Sequence, residues 1–295
     1  MKLRVVPASQ GLQWVKNGIG VCAKQPWGFL GMVGLVATAT LLLTRLPAGI
    51  GHLVMLVAAP LIWMSFILAS RRVLSDRRIA PLLIGELVKE PEARRRWLKL
   101  GSLYAATLIV AGMLAWTLGP GLGTLFDATQ APPPASAPPS STPQTTLPES
   151  PLNDPALQAF LPWWVALTIP VSLVFWHTPA LVYWGRMAVG KALFFSAVAS
   201  WRNLGAFAVY GACWVGLLFT VGMVMQVLAL VVPSPPLMTM TLIMAVMWVF
   251  AAFYASLYFS VVECFESRGT ATEEDEVPPS PDEQRRPPDD NDLPE

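Results

Sequence analysis

GPGLGTLFDATQAPPPASAPPSSTPQTTLPESPLNDPALQA, residues 119–159, is the stretch on which the reading of this chain turns. It holds ten prolines, many Ser and Thr, and neither Lys nor Arg. That composition makes a loop rather than a packed element. Three strongly apolar segments stand on each side, every one long enough to cross a bilayer. The stretch divides the chain into two membrane halves, 27–118 and 160–262. Its lack of basic residues also says on which side of the membrane it lies.

Of the 295 residues, 54% are hydrophobic and only 13% charged, about half the charged fraction usual in soluble domains. A membrane helix needs roughly 20 apolar residues, because each rises about 1.5 Å through a hydrocarbon layer of about 30 Å. The sequence predicts six such spans, over about Trp27–Thr44, Ile50–Ala69, Trp97–Leu118, Phe160–Tyr183, Leu204–Val232 and Leu237–Val262. Each is read as a helix, since only a helix satisfies its own backbone in lipid. The expected fold is all-α and polytopic. Pro60, and Pro170 with Pro179, are expected to kink spans two and four.

Nineteen of the twenty Lys and Arg fall in the N-terminus, the connector between spans two and three, the connector between spans four and five, or the C-terminal tail. Arg45 alone lies opposite. Basic residues stay inside, so both termini are expected in the cytoplasm and the Pro-rich loop outside. Trp27, Trp97, Trp184 and Trp201 mark one expected interface, and Trp116, Trp163 and Trp164 the other.

Short amphipathic segments are expected on the cytoplasmic face. In residues 1–26, Leu12, Val15, Ile19 and Cys22 recur at helical spacing, which predicts a helix lying in the membrane surface. Gly18 and Gly20 weaken it. Similar short segments precede spans three and five. The order of surface segment, span and returning span is thus written three times. Gly11–Phe29 and Ala192–Phe207 share an apolar segment ending in a basic residue, Lys24 or Arg202. No cleaved leader is expected, because a polar stretch rather than an apolar core follows Lys2 and Arg4. Cys22 lacks the upstream apolar run of a lipoprotein site.

Signals for chemistry are sparse. The run Gly185-Arg186-Met187-Ala188-Val189-Gly190-Lys191-Ala192 approaches a phosphate-binding loop, but Ala192 stands where a Ser or Thr must hold magnesium. Gly119, Gly121 and Gly123 follow a span rather than a strand. Cys22, Cys213 and Cys264 form no zinc or disulfide spacing. His52 and His177 have no ligand cluster around them. No Asp, Glu, Lys or Arg lies in the middle of a span. That argues against an ion-coupled transporter and against an intramembrane aspartyl protease, both of which need membrane-embedded charge. His177 and Gln226 remain as a candidate polar membrane site, with Ser65 and Ser172 as milder polar groups. No cofactor and no nucleic-acid partner is expected.

The connector from Arg71 to Lys99 carries nine basic and four acidic residues. Its Arg71, Arg72, Arg77, Arg78, Arg94, Arg95 and Arg96 are candidate contacts for anionic lipid headgroups, each worth about 1 kcal/mol near a charged surface. The tail 263–295 carries twelve acidic and three basic residues, with the composition of a disordered segment. Opposite charge on one side suggests that this tail folds back on the connector. Glu263 and Glu266 are expected to pair with basic connector residues.

Gly11-Leu12-Gln13-Trp14-Val15 through Gln25-Pro26-Trp27-Gly28-Phe29 resembles the start of a family of bacterial inner-membrane proteins. Pro179-Ala180-Leu181-Val182, Ala192-Leu193, Ser196 and Arg202-Asn203 resemble the YciC-like multi-span families. The resemblance covers both membrane halves but neither the Pro-rich loop nor the tail. It implies a six-span inner-membrane protein and transfers no catalytic residue. Together these observations point to a non-enzymatic, membrane-associated or partner-binding protein, alone or as a homo-oligomer. The alternative is a transporter or lipid-handling protein for a neutral or amphiphilic solute. It would need a polar midplane cavity around Pro60, Pro170 and His177.

Overall fold

A computed structural model describes residues 2–80, 83–121, 154–232 and 234–266. Most of the Pro-rich stretch and the tail beyond Glu266 lie outside the described residues. Six helices are long and apolar enough to cross a membrane: Pro26–Leu43, Pro47–Leu74, Pro91–Gly121, Pro155–Tyr183, Leu204–Val231 and Pro235–Cys264. The protein is an all-α, six-span membrane protein. In chain order the helices are α1 (Gln10–Lys24), α2 (Pro26–Leu43), α3 (Ile50–Leu74), α4 (Leu83–Leu87), α5 (Pro91–Trp116), α6 (Pro155–Phe175), α7 (Thr178–Tyr183), α8 (Val189–Arg202), α9 (Leu204–Val231) and α10 (Pro235–Cys264). The order of a shorter helix followed by two spans recurs as α1–α3, α4–α6 and α8–α10.

Proline sets several helix starts. Pro26, Pro91, Pro155 and Pro235 open α2, α5, α6 and α10. The missing N–H falls among groups without an intrahelical partner, and the fixed φ suits the first turn. At α6, Asp154 adds a side-chain cap, accepting from the Ala156 N–H at 2.9 Å. Helix α6 therefore begins inside the stretch that composition reads as loop.

Span four is not one helix. It stops at Phe175 and restarts as α7 at Thr178. Pro179 has no N–H, and its ring would meet the carbonyl one turn back. Serines on α8 take up backbone groups freed at the break. The His177 N–H donates to Ser196 Oγ at 3.0 Å, and the Leu173 carbonyl accepts from Ser200 Oγ at 2.8 Å. Pro60 behaves differently: α3 continues through it, and its ring is buried.

Much of the apolar side of helix α1 is covered by protein, although Leu12 of the predicted stripe is exposed and Ile19 half-buried. Trp14, Val15, Val21 and Cys22 are buried. Two glycines permit the fit. A Cβ at Gly11 would strike the Ala206 carbonyl on α9, and one at Gly18 would strike Ser256 on α10. Of the two glycines that looked like weak points in the helix, Gly18 is thus where backbones meet, while Gly20 faces open space. Trp14 fills the angle between them, edge-on to Tyr210 and tilted against Phe207, with centroids 6.0 and 5.4 Å away. Its indole N–H donates to Glu263 Oε2 at 2.7 Å. Glu263 therefore pairs with an indole; the described residues include no Glu263 partner among the basic connectors.

The termini meet at the same end. Residues Lys2–Leu3 (β1) pair antiparallel with Phe265–Glu266 (β2), and the Arg4 N–H donates to the Cys264 carbonyl at 2.9 Å. Asn203 secures the next turn of chain. Its Oδ1 accepts from the Val6 N–H at 2.8 Å, and its Nδ2 donates to the Arg4 and Ala199 carbonyls at 3.1 and 2.9 Å. So residues 265–266, counted with the acidic tail by composition, are extended and paired.

Buried residues gather toward this end, called here the basic end. On α9 they stop at Trp214, and beyond it no described residue is buried. On α10 they run from Val249 to Cys264. On α2 and α6 only Phe29 and Phe175 are buried. Without a strong hydrophobic drive between helices in lipid, association rests on close packing and hydrogen bonds. Both are concentrated at the basic end.

Candidate functional site

The ends of four helices leave a cleft of about 690 Å³ at the basic end. Leu68, Arg71, Arg72 and Ser75 come from the end of α3, and Glu92, Ala93, Arg96 and Trp97 from the start of α5. Helix α4 adds Glu86 and Leu87; α7 and its exit add Val182, Tyr183, Trp184 and Arg186. Arg77, Lys89 and Glu90 reach it from loops. This volume is in the range of small-molecule sites.

Six cations and three carboxylates line the cleft. Arg72 Nη2 binds both carboxylate oxygens of Glu86, at 2.8 and 2.6 Å, and Arg96 pairs with Glu92 at 3.2 Å. Both pairs are partly exposed, so they contribute little to stability. Arg71, Arg77, Lys89 and Arg186 have no carboxylate partner among the described residues. Arg71 instead lies over the Trp184 ring, 5.8 Å from its centroid, a cation–π contact. The start of α5 adds a further positive end, because Glu90 makes no side-chain cap there.

Local structure explains how two of these cations are presented. The Gln25 side chain donates to the Arg77 carbonyl at 2.9 Å and accepts from the Ile79 N–H at 3.1 Å. This amide pins the loop between α3 and α4 to the junction of α1 and α2. Arg186 stands at φ 48°, and Asp76, beside Arg77, at φ 53°. Left-handed backbone is uncommon for residues other than glycine.

The seven arginines singled out from sequence divide. Arg71, Arg72, Arg77 and Arg96 line the cleft; Arg78, Arg94 and Arg95 do not. Lys89 and Arg186 complete it, and no local pattern in the sequence joins Arg186 to a connector a hundred residues earlier. The only available signal was that both connectors lie on the same side.

His177 and Gln226 are not brought together. His177 is fully buried at the basic end, edge-on to Phe207 and Phe265 at 5.7 and 5.3 Å. Its Nδ1 lies 3.4 Å from Ser200 Oγ, and its Nε2 is buried without a partner. Ser200 already donates to a backbone carbonyl and is itself fully buried, so the pair makes no accessible nucleophile and base. Gln226 is exposed near the far end of α9. Nor do the three groups named for a transport cavity surround one. Pro60 and His177 are packed in protein, and Pro170 is exposed on α6. Among the described residues, no group of three His, Cys, Asp or Glu is placed to hold a metal.

No family model matches the chain, and no solved structure matches it. Over 267 residues it is 28% identical to a protein of Burkholderia thailandensis that bears the name "Probable inner membrane protein". The match covers 90% of this chain and 94% of that protein. The likeness therefore spans both membrane halves, and it agrees with the six apolar helices on a multi-span inner-membrane protein.

Proposed function

We propose that this chain is a non-enzymatic inner-membrane protein that holds anionic lipid headgroups at a cytoplasmic basic end and there presents a fixed surface to a partner. The observation that carries this reading is the cleft, with four cations left without carboxylates. Placing that end in the cytoplasm rests on nineteen of twenty Lys and Arg falling in its segments. Trp97 and Trp184 in the cleft wall suit the headgroup layer, where indoles concentrate. In this reading Ser196 and Asn203, which carry part of the YciC-like resemblance, bond the break in span four and the N-terminal segment at the basic end.

The test is native mass spectrometry of the protein extracted gently from its own membrane. Retained phosphatidylglycerol in preference to phosphatidylethanolamine supports the reading, and a stoichiometric partner would identify what the surface serves. Equal retention of the two lipids would overturn it.

A further inference from the structure

The cleft differs from a diffuse basic surface in three respects. It is a half-open cleft rather than a flat face, with segments far apart in the chain converging on about 690 Å³ and its cations reaching solvent. Its charge is of one sign: after two internal ion pairs, the described lining residues leave Arg71, Arg77, Lys89 and Arg186 against one unpaired carboxylate, Glu90. It is also built at a cost. Arg186 is held in left-handed backbone, and such strain persists where surrounding structure enforces it.

We infer that this cleft is a discrete binding site for a phosphate monoester or diphosphate group, the chemistry shared by a phosphatidate-type headgroup and a free phosphorylated solute. The inference rests on the proposed headgroup reading and narrows it to one site and one class of anion. The excess of three positive charges decides the class. A phosphodiester brings a single negative charge and leaves two cations unmatched. A phosphate monoester carries about −1.5 to −2 at pH 7 and offers three acceptor oxygens. Arginines suit those oxygens through their planar donor forks. Among the described residues, Glu90 is the lining carboxylate without a basic partner, and it sets a limit on how much negative charge is favourable. Leu68 and Val182 add apolar wall beside the charged groups.

The test uses the full-length chain in an uncharged detergent, with dioctanoyl phosphatidic acid, dioctanoyl phosphatidylglycerol and inorganic pyrophosphate as probes. Two paired variants are compared: Arg77→Gln with Arg186→Gln inside the cleft, and Arg94→Gln with Arg95→Gln on the same face outside it. Each pair removes two charges, and thermal unfolding confirms that both remain folded. One phosphatidic acid should bind per chain, about tenfold tighter than phosphatidylglycerol, the scale of one charge-assisted hydrogen bond. The cleft pair should lose that preference and the outer pair keep it. Affinity should also fall as pH drops below about 6, where the monoester takes up a proton. Pyrophosphate binding as tightly as phosphatidic acid would support the site and assign it to a soluble anion; pyrophosphate binding much more weakly would support it and assign it to a lipid. Equal losses in both paired variants, or no preference over phosphatidylglycerol, would overturn the discrete site and leave the general headgroup reading standing. Failure of both lipids to bind would remove that reading as well.

Discussion

Ser196 and Ser200, one turn apart on α8, occupy the two halves of a single missing helical hydrogen bond. In an unbroken span four the Leu173 carbonyl would accept from the His177 N–H. Ser196 takes the N–H and Ser200 the carbonyl. Replacing either serine by alanine leaves one buried backbone group unsatisfied, at about 1–3 kcal/mol. The double variant should cost less than the sum, because the two freed groups can then bond each other. Thermal unfolding of the three variants in detergent measures this. Full additivity would show that the serines act independently.

Asn203 is expected to hold the N-terminal segment. Its amide spends one acceptor and two donor contacts on Val6, Arg4 and Ala199. Asn203→Asp keeps the acceptor and loses the donors. Hydrogen exchange should then speed up at Arg4 and Val6 while the middle of α9 remains protected. Unchanged exchange at Val6 would mean that the pairing of β1 with β2 suffices.

Gly18→Val tests the seating of α1. The added side chain has no space against Ser256, and overpacking of this kind costs about 1–3 kcal/mol. Gly20 faces open space, so Gly20→Ala should be neutral or slightly stabilising through helix propensity. A chemical unfolding curve for each separates the two. Equal effects would place α1 elsewhere.

Thiol labelling can read the topology. Burial pushes the Cys22 thiol up to about 11 from 9.0. Its nucleophilic thiolate is therefore scarce at pH 8. Between those two values the unfolded thiol ionises and the folded one does not, so this group's contribution lowers stability as pH rises through the window. Cys264 is buried and Cys213 half-buried. A Ser136→Cys variant in the Pro-rich loop should thus react alone with a membrane-impermeant maleimide added outside intact inner membranes. Labelling only after the membrane is opened would invert the proposed orientation.

Hydropathy made the six spans legible because lipid leaves a chain few other options; the apolar runs of α9 and α10 needed no tertiary information. The break at His177 was half legible. Pro179 announced a disturbance, but whether it bends or stops a helix depends on who takes the freed groups, and Ser196 and Ser200 lie some twenty residues away. Pro60 shows the other outcome, a helix that carries on. The packing of α1 was not legible for a similar reason: an amphipathic pattern says that one face seeks apolar surroundings without saying whether lipid or protein supplies them. The cleft was legible only in its arginines, since Arg186 joins Arg77 through the packing of α7 against α3.

The pairing of Lys2–Leu3 with Phe265–Glu266 has a consequence in time. A chain is made from its first residue onward, yet α1 rests on α9 and α10, and β1 waits for β2. Residues 2–24 find their resting place only when α10, more than two hundred residues later, has been inserted. Until then Trp14 and Val15 have no covering protein of their own, and an assembly factor or the membrane surface must shelter them. Closure of the basic end is thereby tied to insertion of α10, so that a product ending before α10 betrays itself by an unsheltered α1.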